Sequence, residues 1–436
     1  MRIEKDLIGE MQLEEHLLYG IHTARAAENF ALDYKKTNRE LIYAIVIVKK
    51  AAAITYKKLG IGKERVYDAI SQACDEILSG SLDDAFVTDA LQGGAGTSVH
   101  MNVNEVIANL SLKRLGYQYG RYDLVHPLDD VNRGQSTNDV YPTALRIAAI
   151  RMLHRLSECC ADLQQSLQKK ENEFDSIKKL GRTELMDAVP VTLGQEFGSY
   201  AQAIARDRWR LYKIEERLRQ VNIGGTAVGS GENAERKYRF GVIEQLRELT
   251  GIGLAAAEYP IDITQNNDVF VEVSGLLKAL AVNLMKISND LRLMNSGPMG
   301  GISEIVLAPV QMGSTIMPGK VNPVIPEMVV QVCMKVMAND HAITMAAAHG
   351  EFELNAFFPL IADALLENIK LLTNAVRLFR VKCIEVIQPD KERCRELLDN
   401  SFAFATAYTP DLGYDKVSDI IKQSKGDSKK AKDMLT

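Results

Sequence analysis

The stretch "TALRIAAIRMLHRLSECCADLQQSLQKKENEFDSIKKL", Thr143 to Leu180, contains neither glycine nor proline. Its apolar side chains fall at Ala149, Leu153, Leu156, Cys160, Leu163, Leu167, Phe174 and Ile177, in steps of three and four with one gap at Lys170. That narrow, heptad-like stripe predicts one long bundle helix. At ~1.5 Å per residue it would run roughly 55 Å. Residues 327–349 and 360–387 are also free of glycine and proline, and Val269 to Asn295 is interrupted only by Gly275. Period-two alternation is rare, so strands should be few and short. Apolar stripes of this length cannot all be buried inside one subunit, and an open stripe is an interface or an aggregation hazard. The sequence therefore predicts a mainly α fold with a long central helix bundle shared in a homo-oligomer.

The chain has 436 residues, 46% apolar and 25% charged. That length exceeds one ordinary core. Residues 1–137 read as a mixed N-terminal domain, 138–388 as a central helical domain, and 389–436 as a small C-terminal domain. A net charge of −5 and a single tryptophan, Trp209, give no footprint for nucleic acid. The opening "MRIEKDLIGE" lacks the apolar region of a secretory signal, and no apolar run is long enough to span a bilayer. The six cysteines are scattered, with no CxxC pair, and read as reduced core thiols of a cytoplasmic protein.

Four polar, glycine-marked segments interrupt the helical pattern: Gln92–Asn109, His126–Ala148, Gly181–Phe197, and the loop "MGSTIMPGKVNP", Met312–Pro323. They concentrate hydroxyls at Thr97-Ser98, Ser136-Thr137 beside Asn138, and Ser314-Thr315. Hydroxyls, amides and loop N–H groups are donors to carboxylates, and Lys320 adds a positive charge. Such a set suits a small dianionic substrate. Nucleotide chemistry is disfavoured, because no GxxxxGK[ST] loop is present. A G-x-S-x-G elbow is missing too, and the histidines show no metal-ligand spacing. No cofactor is expected. Any need for a divalent activator is not legible in the sequence.

At these segments the chain resembles the aspartase/fumarase superfamily. "GSTIMPGKVNP" follows that superfamily's G-S-S-x-M-P-x-K-x-N signature, and "GGAGTS", "QSTND", "NPVIPE" and "QVCMKVMAND" lean towards its aspartase branch. The resemblance runs from "YGIHTARAAENF" to about Tyr414. It implies three domains per subunit and a homotetramer, with each active site assembled from three subunits. It also implies amine elimination through an aci-carboxylate, most simply from L-aspartate to fumarate and ammonia. Ser314 would then be the base. Thr97, Ser136, Thr137 and Thr315 would grip the β-carboxylate, with Ser98 beside them. Lys320 and Asn322 would hold the α-carboxylate, and Asn138 and Thr183 would meet the amine.

Four departures stand out. Glu184 replaces the usual histidine or glutamine near the leaving group, where a carboxylate would favour a cationic amine, larger or quaternary ones included. His100 stands at a usual asparagine position in "GTSVHMN" and is counted among the substrate-binding residues. Thr315 replaces the second serine of the signature. "AYTPDLGYDK" replaces an L-N-P form, and the chain stops early for the superfamily, which suggests a shortened C-terminal domain. The alternatives are a lyase with another amine substrate, such as an ergothionase releasing trimethylamine from ergothioneine; a fumarase; and a catalytically silent crystallin-type homologue.

Overall fold

The computed structural model describes residues 1–436. The fold is mainly α. In chain order the helices are α1 (Ile21–Asn29), α2 (Arg39–Lys58), α3 (Glu64–Leu78), α4 (Thr97–Arg114), α5 (Thr137–Glu173), α6 (Leu193–Leu218), α7 (Arg236–Thr250) and α8 (Pro260–Gln265). They continue as α9 (Asp268–Met294), α10 (Val324–Ala348), α11 (Phe358–Lys382), α12 (Lys391–Asp399), α13 (Thr409–Leu412), α14 (Tyr414–Ser424) and α15 (Ser428–Leu435). Strands occur only as four two-stranded sheets: β1 (Arg2–Lys5) with β2 (Glu10–Leu13), β3 (Lys178–Thr183) with β4 (Met186–Thr192), β5 (Gln220–Val221) with β6 (Ala255–Ala256), and β7 (Ile305–Val306) with β8 (Gln388–Pro389). No helix is long and apolar enough to cross a membrane.

The 37 residues of α5 span ~55 Å. Every stripe residue expected to face inward does so: Ala149, Leu153, Leu156, Cys160, Leu163, Leu167, Phe174 and Ile177 are all buried. The helix starts six residues before the glycine- and proline-free run and ends seven residues short of it. Pro142 lies inside it and lacks the N–H that would bond the Asn138 carbonyl. That carbonyl instead accepts from Nδ2 of Asn222 at 3.0 Å, so the helix passes through the proline without an orphaned group. At the other end, residues 178–180 pair as β3 with β4 rather than continuing the helix.

The chain divides into two compact units. One comprises Met1–Arg155, Leu211–Leu277 and Val336–Lys370; the other comprises Leu156–Arg210, Lys278–Lys335 and Leu371–Thr436. Each of α5, α6, α9, α10 and α11 contributes a segment to both. In the first unit α2 packs against α3, α4 and α7. Its ends are well specified. Asn38 caps it by accepting from the Glu40 N–H, and Lys57 and Lys58 stand in its last turn. In the second unit α12 packs on β3, and α13 to α15 enclose a small core of Ala405, Val417, Ile420 and Leu435.

The six cysteines are free, and all but the half-buried Cys159 are buried. Burial pushes the thiols of Cys333, Cys383 and Cys394 up to about 12. They pack as small apolar groups.

Candidate active site

The sequence-predicted residues fall into two sets, one in each unit. Thr97, Ser98, His100, Ser136, Thr137 and Asn138 belong to the first; Thr183, Glu184, Ser314, Thr315, Lys320 and Asn322 belong to the second.

In the first unit two helix N-termini meet. Thr97 opens α4 and Thr137 opens α5, and their hydroxyl oxygens are 3.3 Å apart. Gly96 makes the approach possible. Its φ of +95° is left-handed, and an added Cβ would lie 2.3 Å from the Tyr141 ring. Helix N-termini carry partial positive charge and free N–H groups, so their apposition favours an anion. The start of α5 is a capping box. Ser136 Oγ accepts from the Asn138 N–H at 3.2 Å, while Asp139 Oδ1 accepts from the Ser136 N–H at 2.9 Å. Ser136 thereby keeps its own hydroxyl proton for another acceptor. Thr97 donates to the Gly94 carbonyl at 2.7 Å. The Asn138 carboxamide donates to the Ala227 carbonyl at 2.7 Å. Ser98 lines a neighbouring cavity of about 770 Å³ in this unit.

His100 is buried and does not face open space; its Nδ1 lies 2.8 Å from Thr137 Oγ1. Burial holds this imidazole well below its usual pKa, with nearby Lys49 pushing the same way and Asn132 opposing. Lys49 itself is buried and donates to Asn132 Oδ1 at 2.6 Å and Gln135 Oε1 at 2.9 Å. Sequence reading missed this lysine. It sits within "AIVIVKKAAAI", where the adjacent Lys50 makes the pair look like a solvated edge. The physical signal was a cation inside an otherwise apolar helical run.

Asp139 was missed as well. Besides Ser136 it accepts from the N–H groups of Gly224 and Thr226, both at 3.0 Å. Burial raises it from 3.8 to about 6, outweighing those N–H donors and Lys49. Because the folded value lies above the unfolded one, protonation of Asp139 supports the fold below pH 3.8, and that support is lost as pH rises through about 6. Chemical-denaturation midpoints measured against an Asp139→Asn variant should therefore show wild type losing relative stability across that window. A constant difference between the two proteins would contradict this.

In the second unit the Met312–Pro323 loop wraps one serine. Ser314 Oγ accepts from the N–H groups of Ile316 at 3.2 Å and Met317 at 2.8 Å. Two N–H dipoles aimed at one hydroxyl oxygen favour its anionic form. The loop closes on itself: the Gly313 N–H donates to the Lys320 carbonyl at 3.1 Å, and Asn322 Nδ2 donates to the Gly313 carbonyl at 2.6 Å. A Cβ at residue 313 would lie 2.3 Å from the Lys320 carbonyl oxygen, so only glycine fits. Lys320 is exposed and Asn322 half-buried. Both line a cavity of about 870 Å³ with Arg292, Ser296, Ser303 and Glu327, and none of the salt bridges in the structure involves Lys320. Thr315 is exposed next to Ser314.

Thr183 and Glu184 stand at the tip of the β3–β4 hairpin. Thr183 pairs with Met186, which leaves Glu184 and Leu185 as a two-residue turn with φ of +53° and +64°. Both left-handed values define a type I′ turn, which prefers Asn-Gly. Non-glycine residues there cost roughly 1–2 kcal/mol each. Strain of this kind tends to be kept where function needs it. The hairpin is anchored from below by buried charge. Lys179 Nζ lies 2.7 Å from Glu196 and 2.9 Å from Glu304, and Arg182 lies 3.0 Å from Glu304. No group of three or more His, Cys, Asp or Glu side chains is placed to hold a metal ion.

Comparison with known proteins places this geometry. A family model described as lyase matches residues 9–338. Aspartate ammonia-lyase from Bacillus sp is 44% identical over 424 residues, covering 97% of this chain and 91% of that one. Aspartate ammonia-lyase from Pseudomonas fluorescens is 45% identical, covering 97% and 89%. Among solved structures, fumarate lyase:delta crystallin from Brucella melitensis bound to cobalt matches with a TM-score of 0.94 at 45% identity, covering 97% of this chain and 92% of that one. Recombinant class II fumarase from Schistosoma mansoni matches with a TM-score of 0.95 at 33% identity, covering 97% and 92%. Extended similarity in sequence, fold and signature loop has one reading: the chain is an enzyme of the lyase family and belongs to the aspartase/fumarase superfamily.

Proposed function

We propose that the chain is an aspartate ammonia-lyase, converting L-aspartate to fumarate and ammonia by anti elimination. The observation that carries this reading is the meeting of the α4 and α5 N-termini at Thr97 and Thr137, 3.3 Å apart. Two positive helix ends bearing hydroxyls suit a carboxylate that must take on a second negative charge. The names and near-full-length identity of the relatives support the same substrate.

The chemistry follows from the weak acidity of the carbon next to the β-carboxylate. Ser314, its oxygen held by the Ile316 and Met317 N–H groups, takes that proton. The electron pair moves onto the β-carboxylate, giving an enediolate that Thr97, Ser136, Thr137 and Thr315 stabilise by hydrogen bonds. When the enediolate collapses, the C–N bond breaks. The substrate's amine is already protonated, so neutral ammonia departs. Lys320 and Asn322 hold the α-carboxylate, and Asn138 and Thr183 orient the amine.

We further place the enzyme in the cytoplasm as a homotetramer of three-domain subunits divided at residues 1–137, 138–388 and 389–436. In support, α10 leaves Met334, Ala338, His341, Met345 and Ala348 exposed at steps of four and three. That is a seam in want of a partner helix. Sites assembled from several subunits would unite the two residue sets.

The test is direct. Purified protein is given L-aspartate and, separately, L-malate, while fumarate absorbance and ammonia release are followed. Equal fumarate and ammonia from L-aspartate is the expected result. Fumarate from L-malate alone would make the enzyme a fumarase.

The strained position of Glu184 points to a role in choosing the amine. Replacing Glu184 by Gln or His should shift relative rates across a panel of amines by several-fold. Stability should change by no more than ~0.5 kcal/mol, as for an exposed side chain. Unchanged relative rates would remove Glu184 from the specificity determinants.

A further inference from the structure

The Thr137 hydroxyl has one proton to give and two close neighbours. His100 Nδ1 is at 2.8 Å and Thr97 Oγ1 at 3.3 Å. Thr97 is the donor in that pair and also reaches the Gly94 carbonyl at 2.7 Å, so it takes no proton from Thr137. The direction of the Thr137 proton therefore depends on His100. If Nδ1 carries no hydrogen, it draws the Thr137 O–H inward and nothing is left to donate to substrate. If Nδ1 carries the hydrogen, it donates to Thr137 Oγ1, and the Thr137 O–H must point elsewhere.

The surroundings of the ring decide between the two. His100 is 1% exposed, its buried Nε2 makes no hydrogen bond, and the Asn132 carboxamide near the ring already has its oxygen taken by Lys49 at 2.6 Å. A hydrogen on Nε2 would be a buried, unsatisfied donor, which costs ~1–3 kcal/mol. The Nδ1–H tautomer places the ring's only N–H on a partner and leaves a lone pair at Nε2. Lys49, tied to Asn132 and Gln135, is near enough to oppose a second proton on the ring.

We propose that His100 is a positioning residue: it donates from Nδ1 to Thr137 Oγ1 and so commits the Thr137 hydroxyl proton to the substrate's carboxylate. The catalytic consequence rests on the lyase reading above, whereas the tautomer does not. Asparagine Nδ2 occupies nearly the same place on its side chain as imidazole Nδ1, and each is an N–H donor.

Two measurements test the proposal. Neutron diffraction from deuterium-exchanged crystals of the unliganded enzyme should show a deuteron on His100 Nδ1 and none on Nε2. A deuteron on Nε2 alone would overturn the proposal whether or not the substrate assignment holds. The second measurement is kinetic. Removing one such donor costs ~10²–10³ in kcat, so misdirecting it should cost His100→Leu at least ~10-fold. His100→Asn should recover most of that loss, and His100→Gln, whose donor reaches the Nε2 position, should not. In a Thr137→Val background His100→Leu should lower kcat by less than about twofold, because the hydroxyl it directs is gone. A purely structural role would give the same factor in both backgrounds, and that outcome would refute the assignment. Circular-dichroism melts of each variant identify any loss due to unfolding. His100→Asn is the most conservative of them, and a folded but inactive His100→Asn would also contradict the proposal.

Discussion

Ser314→Ala is expected to lower kcat for L-aspartate by at least ~10²–10⁴-fold, the range a positioned general base supplies. The serine is half-buried on a loop that packs little apolar surface, so the melting temperature should stay close to that of wild type. What is lost is one oxygen, held at 3.2 and 2.8 Å by two backbone N–H groups. The loop itself should persist, because its closure runs through Gly313, Lys320 and Asn322. Binding of succinate, which has both carboxylates but no amine, should therefore change by no more than a few-fold. Turnover near the wild-type rate in this variant would remove Ser314 as the base.

The second large effect is on stability. Glu304 is completely buried and receives Lys179 at 2.9 Å and Arg182 at 3.0 Å. Its carbonyl also accepts from the Asp390 N–H at 2.9 Å, so one residue ties β3, the β7 segment and the start of α12. Removing the carboxylate would take the ion pair from half-buried Arg182 and leave buried Lys179 with Glu196, at 2.7 Å, as its remaining partner. Breaking a buried pair in this way costs ~3–5 kcal/mol. Glu304→Ala should lose about that much in denaturant titrations. Glu304→Gln, which keeps the shape but not the charge, should lose nearly as much. Arg182 precedes Thr183 directly, so any variant that still folds should also bind substrate less well. Wild-type stability in Glu304→Ala would show that Glu196 alone satisfies Lys179.

The long helices could be read from sequence because burial writes a three-and-four spacing into them. That spacing carried α5 to within seven residues of its ends, and runs with little or no glycine and proline carried α9, α10 and α11 to within five. The β3–β4 hairpin was hidden for two reasons. Lys178–Leu180 continues a run without glycine or proline, and Glu184-Leu185 is not a sequence that advertises a type I′ turn. What forms the hairpin is the partnership of Lys179 and Arg182 with Glu304, more than a hundred residues away. No local pattern can encode that.

The polar site was partly visible. Hydroxyls beside glycine and proline marked the candidate loops, and in one of them Ser314 Oγ accepts from two backbone N–H groups. The layer beneath was not visible. Lys49 and Asp139 are charged residues inside buried helical segments, and only the tertiary structure shows what they meet. His100 read as a substrate-binding residue, and the structure adds that it is buried with Nδ1 2.8 Å from Thr137 Oγ1. One turn of helix separates a side chain that lines a site from one that aims its neighbour, and sequence does not record which way the helix is rolled.

The measurement closest to the central claim is a crystal structure of the wild-type enzyme with succinate bound. One carboxylate should lie ~2.7–3.1 Å from the hydroxyls of Thr97 and Thr137 at the joined helix ends. The adjacent methylene carbon should lie ~3–3.5 Å from a Ser314 Oγ. A succinate whose carboxylates avoid those hydroxyls, or whose methylene carbons lie beyond reach of every Ser314, would contradict the mechanism.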